Sequence, residues 1–241
     1  MKDRLKLVFA SLCIVLFSGC FFPNEQRVEN QITYPDQLAS VQTAIEQFQV
    51  DNGGLPIRTF DESVPMYHRY VIDFSQLVPR YMQTPPGTAF ENGGTHQYVL
   101  VNVEDDPQVK VIDLTSVKVI RELQERVRDY RRAHTYAPVE ETLDQGLFTL
   151  DFEALGYEEA PYVQSPYHET IRLPLLYTNE GNVVIDYKMD LTMYMQDAAE
   201  IPEEGIDLRP LLYEESPYAP AHSVPYSLDK EGEIIYDRGL E

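Results

Sequence analysis

At 241 residues, the chain sets 40 acidic against 19 basic side chains, a formal charge of −21. A surface so acidic repels phosphodiester backbones and anionic headgroups, which excludes nucleic acid as a partner. Apolar residues make up 43% of the chain and 17 Tyr are spread along it, so this is a folding sequence and not a solvated tail.

The first stretch reads as a targeting segment. Lys2, Arg4 and Lys6 form a basic start, and Leu7 to Phe17 is an apolar run of eleven residues. A bilayer-spanning helix needs about 20. Ser18 and Gly19 then precede Cys20, a pattern that resembles a bacterial lipobox. Phe17 departs from it, standing where a smaller aliphatic is usual. The resemblance implies cleavage before Cys20, with residues 1–19 as a signal peptide. Diacylglyceryl Cys20, carrying palmitate-type chains, would then attach the protein to the outer face of the cell membrane. Plain secretion and an uncleaved anchor are the other readings. Cys13 leaves with the signal, so no intrachain disulfide is possible and stability must come from the core.

Residues 20–35 are polar and read as a tether lifting the domain off the membrane. Leu38, Val41, Ile45 and Phe48 then mark one apolar helical face, with Asp36 as N-cap and Gly53-Gly54 as the stop. Val71 to Phe74 and Leu77 follow a Pro56 loop. After Pro85-Pro86-Gly87 and Asn92-Gly93-Gly94, the runs Gln97–Val103 and Val109–Leu114 predict a hairpin around Glu104–Pro107.

The pattern then restarts. Ile120, Leu123, Val127 and Tyr130 predict a second helix, Leu150–Phe152 and Leu155 echo Ile72–Phe74 and Leu77, and Pro174–Thr178 with Asn182–Tyr187 predict a second hairpin. Asp190-Leu191-Thr192 matches Asp113-Leu114-Thr115 and opens a third, shorter unit. Tyr162–Asp186 and Tyr213–Asp237 align without gaps at an offset of 51, with eight identities in 25 positions. These include Ser165/Ser216, Pro174/Pro225, Gly181/Gly232 and Asp186/Asp237. Composition alone would give roughly one or two. The expected organisation is an α+β body of three imperfect units, residues 36–112, 113–189 and 190–241. Each is a helix, a Pro-rich loop and a β-hairpin, too small to bury its apolar face alone.

The chemistry-bearing residues are few. Arg121, Arg126, Arg128, Arg131 and Arg132 fall within twelve residues of an acidic chain, on the predicted second helix. Glu122 and Glu125 stand at helical spacing from Arg126 and Arg128, which admits internal pairing. The functional reading is a docking face for an acidic envelope protein or wall polymer, since guanidinium forks bind carboxylate and phosphate bidentately. Acidic runs such as Glu104–Asp106, Glu140-Glu141 and Glu203-Glu204 lack the spacing of a calcium loop. His68, His96, His134, His168 and His222 show no metal-ligand spacing. There is no Gly-x-Ser-x-Gly elbow and no phosphate loop. Neither a catalytic residue nor a cofactor is expected. Tyrosines in the Pro-rich loops, among them Tyr157, Tyr162, Tyr167, Tyr213, Tyr218 and Tyr226, cover seams between units or line a partner or glycan groove.

Leu77-Val78-Pro79-Arg80-Tyr81-Met82, Pro85-Pro86-Gly87 and Gln97–Val101, behind the lipobox, resemble the YphF-type lipoproteins of Bacillus-like Gram-positive bacteria. Members of that largely uncharacterised family are sometimes labelled binding components of ABC transporters. That label implies a solute cleft between two α/β lobes, but the parallel βαβ alternation of such lobes is not visible here. A looser likeness, of fold only, is to pseudopilin globular domains. The resulting expectation is a non-catalytic, membrane-anchored extracellular module, with a solute-binding transporter subunit as the alternative.

Overall fold

Two helices carry the apolar stripes that organise the body. In the computed structural model, which describes residues 34–58, 64–198 and 201–240, the first is α1 (Tyr34–Asn52). Val41, Ala44 and Ile45 are buried on one face and Leu38 and Phe48 flank them. The signal segment, Cys20 and most of the expected tether lie outside the described residues. Helix α1 starts at Tyr34, so Asp36 is not its N-cap but part of its first turn. Pro35 accounts for the earlier start, because a first-turn proline gives up only an amide that lacks a helical partner. There Asp36 faces the positive end of the helix dipole. The helix stops where the Gly53 N–H donates to Gln49 O at 2.8 Å.

Two short turns follow, α2 (Met66–Arg69) and α3 (Phe74–Leu77), the second capped by Asp73. Strands β1 (His96–Val101) and β2 (Gln108–Asp113) form the expected antiparallel hairpin, with Tyr98 opposite Val111 and Val101 opposite Gln108. The turn before it depends on glycine. A Cβ on Gly94 would sit 2.0 Å from the Thr88 carbonyl oxygen. Helix α1 packs on this hairpin, and Gln42 ties the two together by accepting the Val109 N–H at 2.9 Å.

Asp113 ends β2 and begins α4 (Leu114–His134), accepting the Thr115 N–H at 2.8 Å. Ile120, Leu123 and Val127 are buried in the largest core cluster. A five-stranded sheet lies against them, made of β3 (Val139–Asp144), β4 (Leu147–Leu150), β5 (Tyr162–Gln164), β6 (Arg172–Thr178) and β7 (Val183–Ile185). Strand β6 is its centre, pairing with β5 at its start, β7 along its second half and β4 at its end. Next come α5 (Lys188–Asp197), α6 (Arg209–Glu214) and the hairpin of β8 (Tyr226–Leu228) and β9 (Ile234–Tyr236). Every strand ladder among the described residues is antiparallel. The protein is therefore mixed α+β with small sheets.

Hairpins β6–β7 and β8–β9 share one register. Leu175 faces Ile185 as Tyr226 faces Tyr236, 51 residues on. Gly181 N–H donates to Thr178 O at 2.9 Å, and Gly232 N–H to Asp229 O at 3.0 Å. Ahead of the hairpins the correspondence breaks, since Tyr162 is in strand β5 and Tyr213 is in helix α6. Asp190 is not the counterpart of Asp113 either. It lies inside α5, fully buried, and the Asp that ends the preceding strand segment is Asp186.

Asp186 is the anchor of the last hairpin. It accepts the Lys188 N–H at 2.9 Å, the Tyr226 hydroxyl at 3.1 Å and the Tyr236 hydroxyl at 2.8 Å. Tyr226, fully buried, also accepts the Tyr187 N–H at 2.8 Å. Tyr226→Phe removes a donor to a buried carboxylate and strands a buried amide. It is expected to cost about 1–3 kcal/mol in chemical denaturation. A loss under about 0.5 kcal/mol would show that this network is not holding the hairpin.

Candidate docking face

Helix α4 puts the five arginines on two flanks. At about 100° per residue, Arg121, Arg128 and Arg132 share one row, and Arg126 lies about 140° round from them, across solvent. Arg131 falls between that row and the buried stripe. Arg126 is a strut: its Nη1 donates to Leu155 O at 3.1 Å, its Nη2 pairs with Glu122 at 3.2 Å, and its guanidinium lies 4.2 Å from the Tyr157 ring centre. Arg128 pairs with Glu125 at 2.8 Å and Arg132 with Asp129. All four side chains in these last two pairs are more than half exposed, so water and salt screen them and each pair contributes under about 1 kcal/mol.

Arg131 differs. Its Nη1 donates to the Tyr177 hydroxyl at 3.2 Å, and no carboxylate pairs with it among the described residues. A Cβ on Gly181 would stand 3.2 Å from that nitrogen and 3.4 Å from the Tyr177 oxygen, at a φ of +90°. A side chain there would crowd the guanidinium by a few tenths of an ångström and strain the backbone, so the close approach favours glycine at 181. Gln124 fixes the gap's width by donating to Gly181 O and accepting the Val183 N–H, both at 2.8 Å. The result is a polar cleft of about 470 Å³ between α4 and the β6–β7 turn, with Arg128, Arg131 and Arg132 on one wall and Gly181 and Asn182 on the other. Thr135 closes its end at φ +71°, a strained conformation for a β-branched residue. The structure thus gathers three of the five arginines, leaves Arg121 upstream and assigns Arg126 to packing. The last-turn residues Arg131, Arg132 and His134 also offset the helix's negative C-terminal end.

Other titratable groups meet where sequence reasoning saw none. His68 on α2 and His222 lie with ring centres 4.3 Å apart, and the Nε2 of each is buried without a hydrogen-bond partner. Burial lowers the pKa of both, and that of His222 falls to about 3, helped by its neighbour. His222 adopts φ +56°. Only tertiary structure brings these two together, and two scattered histidines carry no sequence signal. Asp190 accepts the Ser165 hydroxyl at 2.8 Å through Oδ1, while its Oδ2 is buried without a partner. Burial raises its pKa to about 6, against the opposing Ser165 hydrogen bond. Asp186, Tyr167 and Tyr187 lie close enough to act on it or on one another electrostatically.

One comparison bears on this arrangement. Residues 34–113 match the YphF family N-terminal domain. No curated protein and no solved structure matches the chain. The YphF match runs from the start of α1 to Asp113, the cap of α4. It contains His68 and stops short of every arginine of the cleft.

Asp190 sets a pH test. Its folded pKa lies above the ordinary 3.8, so the folded state binds the extra proton between about pH 4 and 6. Its burial is least costly below that window, and the penalty grows as pH rises through 6. Asp190→Asn keeps the acceptor for Ser165 without the charge. The variant is expected to be about 2–3 kcal/mol more stable than wild type at pH 8, the difference vanishing by pH 4. Urea denaturation at both pH values checks this; equal differences at the two would show that Asp190 is not buried as a neutral acid.

Proposed function

We propose that the chain is a non-catalytic envelope interaction module, a lipoprotein of YphF type held on the outer face of a Gram-positive cell membrane through Cys20. On this reading the cleft beside α4 docks an acidic partner, an envelope protein or a wall polymer. The observation that carries the reading is Arg131. It is held in place by Tyr177 and the gap at Gly181, carries no carboxylate partner among the described residues, and is flanked by two arginines whose own partners are exposed. A carboxylate or phosphate entering the cleft meets a preset guanidinium and can draw the flanking pair away from weak helix-surface partners. We also read the body as three imperfect α-ββ units, a reading supported by the shared register of the last two hairpins.

In-cell crosslinking of the anchored protein, followed by identification of what is captured, tests the docking. Changing Arg128, Arg131 and Arg132 to Glu is expected to abolish capture of a specific acidic partner. Gly181→Ala, which crowds Arg131, is expected to reduce it about tenfold, the loss of one charge-assisted contact. Capture unchanged in both variants would sink the cleft reading. The anchor stands or falls separately. Cys20→Ala should end lipid labelling and release the protein from the membrane, and a mutant that still labels and stays attached would refute it.

A further inference from the structure

The segment Pro217–His222 is a strap that joins the YphF-matched unit to the rest of the chain. It runs along the outer edge of β2, where Val111 N–H donates to Pro217 O at 2.8 Å and Ala219 N–H donates to Val111 O at 2.9 Å. Its far end is pinned to the large core, since Ile185 N–H donates to His222 O at 2.8 Å and the Tyr187 hydroxyl to Ala221 O at 3.1 Å. Against the hairpin it packs Ala219 and Ala221, in a minor cluster with Val71, Val99 and Ile112, and the partly buried Tyr218, whose ring lies 6.0 Å from that of His96. Three backbone bonds and this minor cluster are less than what holds the large core, so the segment is cheaper to open than the core.

At its end His222 meets His68 from α2, ring against ring, with both Nε2 atoms shut from water and unpartnered. Two neutral imidazoles can share that space. Two imidazolium ions would repel at that distance, and each buried Nε2 would carry charge with no anion bonded to it among the described residues. The groups around the seam do not supply one. On the side of α2 stand Tyr67 and Arg69, the latter bound to Val64 O. From α6 comes Arg209, whose own carboxylate, Asp207, it holds at 2.7 Å. Strand β2 offers Lys110, which donates to Tyr213 O and Ser216 O. Tyr187 arrives from the large core with its pKa raised by burial, so it stays neutral. Among these described residues, every charged group is positive or already held by a partner.

We propose that the His68–His222 contact is an acid-sensitive latch, which holds the strap on β2 at neutral pH and lets it go when the rings ionise. Release unpairs both backbone groups of Val111 and leaves β2 with an open edge. The sign follows from the site: the closed form excludes protons that the open form accepts near pH 6.5, so acidification favours opening. Each imidazole that ionises only when open multiplies the open fraction about tenfold per pH unit, and the pair about 100-fold.

Amide hydrogen exchange on the purified protein between pH 7 and 5, corrected for intrinsic rates, tests the latch. Protection of the Val111 and Ala219 amides is expected to fall about 100-fold per unit below pH 6.5. The Leu176 and Val184 amides of the β6–β7 ladder, which do not bond the strap, should hold their protection. A flat profile at Ala219 would overturn the proposal, and so would a parallel loss in the β6–β7 ladder, which would mean global unfolding. His68→Gln with His222→Asn should remove the slope, Asn tolerating the left-handed backbone at 222. Asp190→Asn, which removes a group that responds to acid in the opposite sense, should leave the slope in place. A slope that survives the double change, or that Asp190→Asn abolishes, belongs to another group and defeats the latch.

Discussion

An aspartate accepting the backbone N–H two residues ahead is the contact on which this architecture turns. Asp73 takes Ser75 N–H at 3.1 Å, Asp113 takes Thr115 at 2.8 Å, Asp186 takes Lys188 at 2.9 Å, Asp207 takes Arg209 at 3.0 Å and Asp237 takes Gly239 at 3.2 Å. Each satisfies an amide that a starting helical turn leaves without a partner. Each also sits where extended chain must swing into a helical turn. A body of short hairpins has little apolar area per element with which to impose such corners. A local bond supplies the direction instead, and part of the chain's acidity is therefore structural. Hydrogen bonds from Ser75 and Gln76 hold the Asp73 carboxyl below its ordinary range, as the accepting role requires.

The corners then have to be joined. Asp186 uses its remaining acceptor capacity on Tyr226 and Tyr236, so the residue that turns the chain into α5 is also the floor of the last hairpin. The same tyrosine, Tyr226, takes the Tyr187 N–H. Buried polar groups are costly singly and stabilising once all are paired, which makes this cluster a register device for β8–β9. On the other side of the body, Lys110 serves the strap in the same way by binding two of its neighbouring carbonyls. The described residues, which include no cysteine, thus connect their apolar clusters through tyrosine, lysine and main-chain contacts.

This logic decides what could be read in advance. The stripes of α1 and α4 and the hairpins β1–β2 and β6–β7 were legible, because core faces demand apolar side chains at fixed periods. Strand β3 was not. Val139–Asp144 is almost wholly exposed and carries Glu140, Glu141 and Thr142, and it is a strand only because β4 pairs with it. Asp190 looked like the opening of a third unit because it precedes Leu-Thr as Asp113 does, but the chain turns into α5 already at Asp186, just past β7, and Asp190 lies inside that helix. Of the arginines, the spacing of Glu122 and Glu125 foretold the pairs of Arg126 and Arg128. Nothing local could foretell the gap at Gly181, which needs the β6–β7 turn to lie beside α4. The histidine pair needs the whole fold.

The basic helix on an acidic body is now explained in part by the body itself. Arg126 braces a loop through Leu155 and Tyr157 and would be kept in a protein with no partner at all. Arg132 and His134 face the carbonyl end of α4, where positive charge is favourable in any helix. These roles do not require a cleft. Arg131 could meet the same end-of-helix demand from solvent, yet it is folded inward against Tyr177, in a gap that a Cβ at position 181 would crowd. Holding a long side chain there costs rotamer freedom that an exposed arginine keeps. One neutral hydroxyl contact is a small return for that loss, and an anion bridging Arg131 to its neighbours would be a larger one.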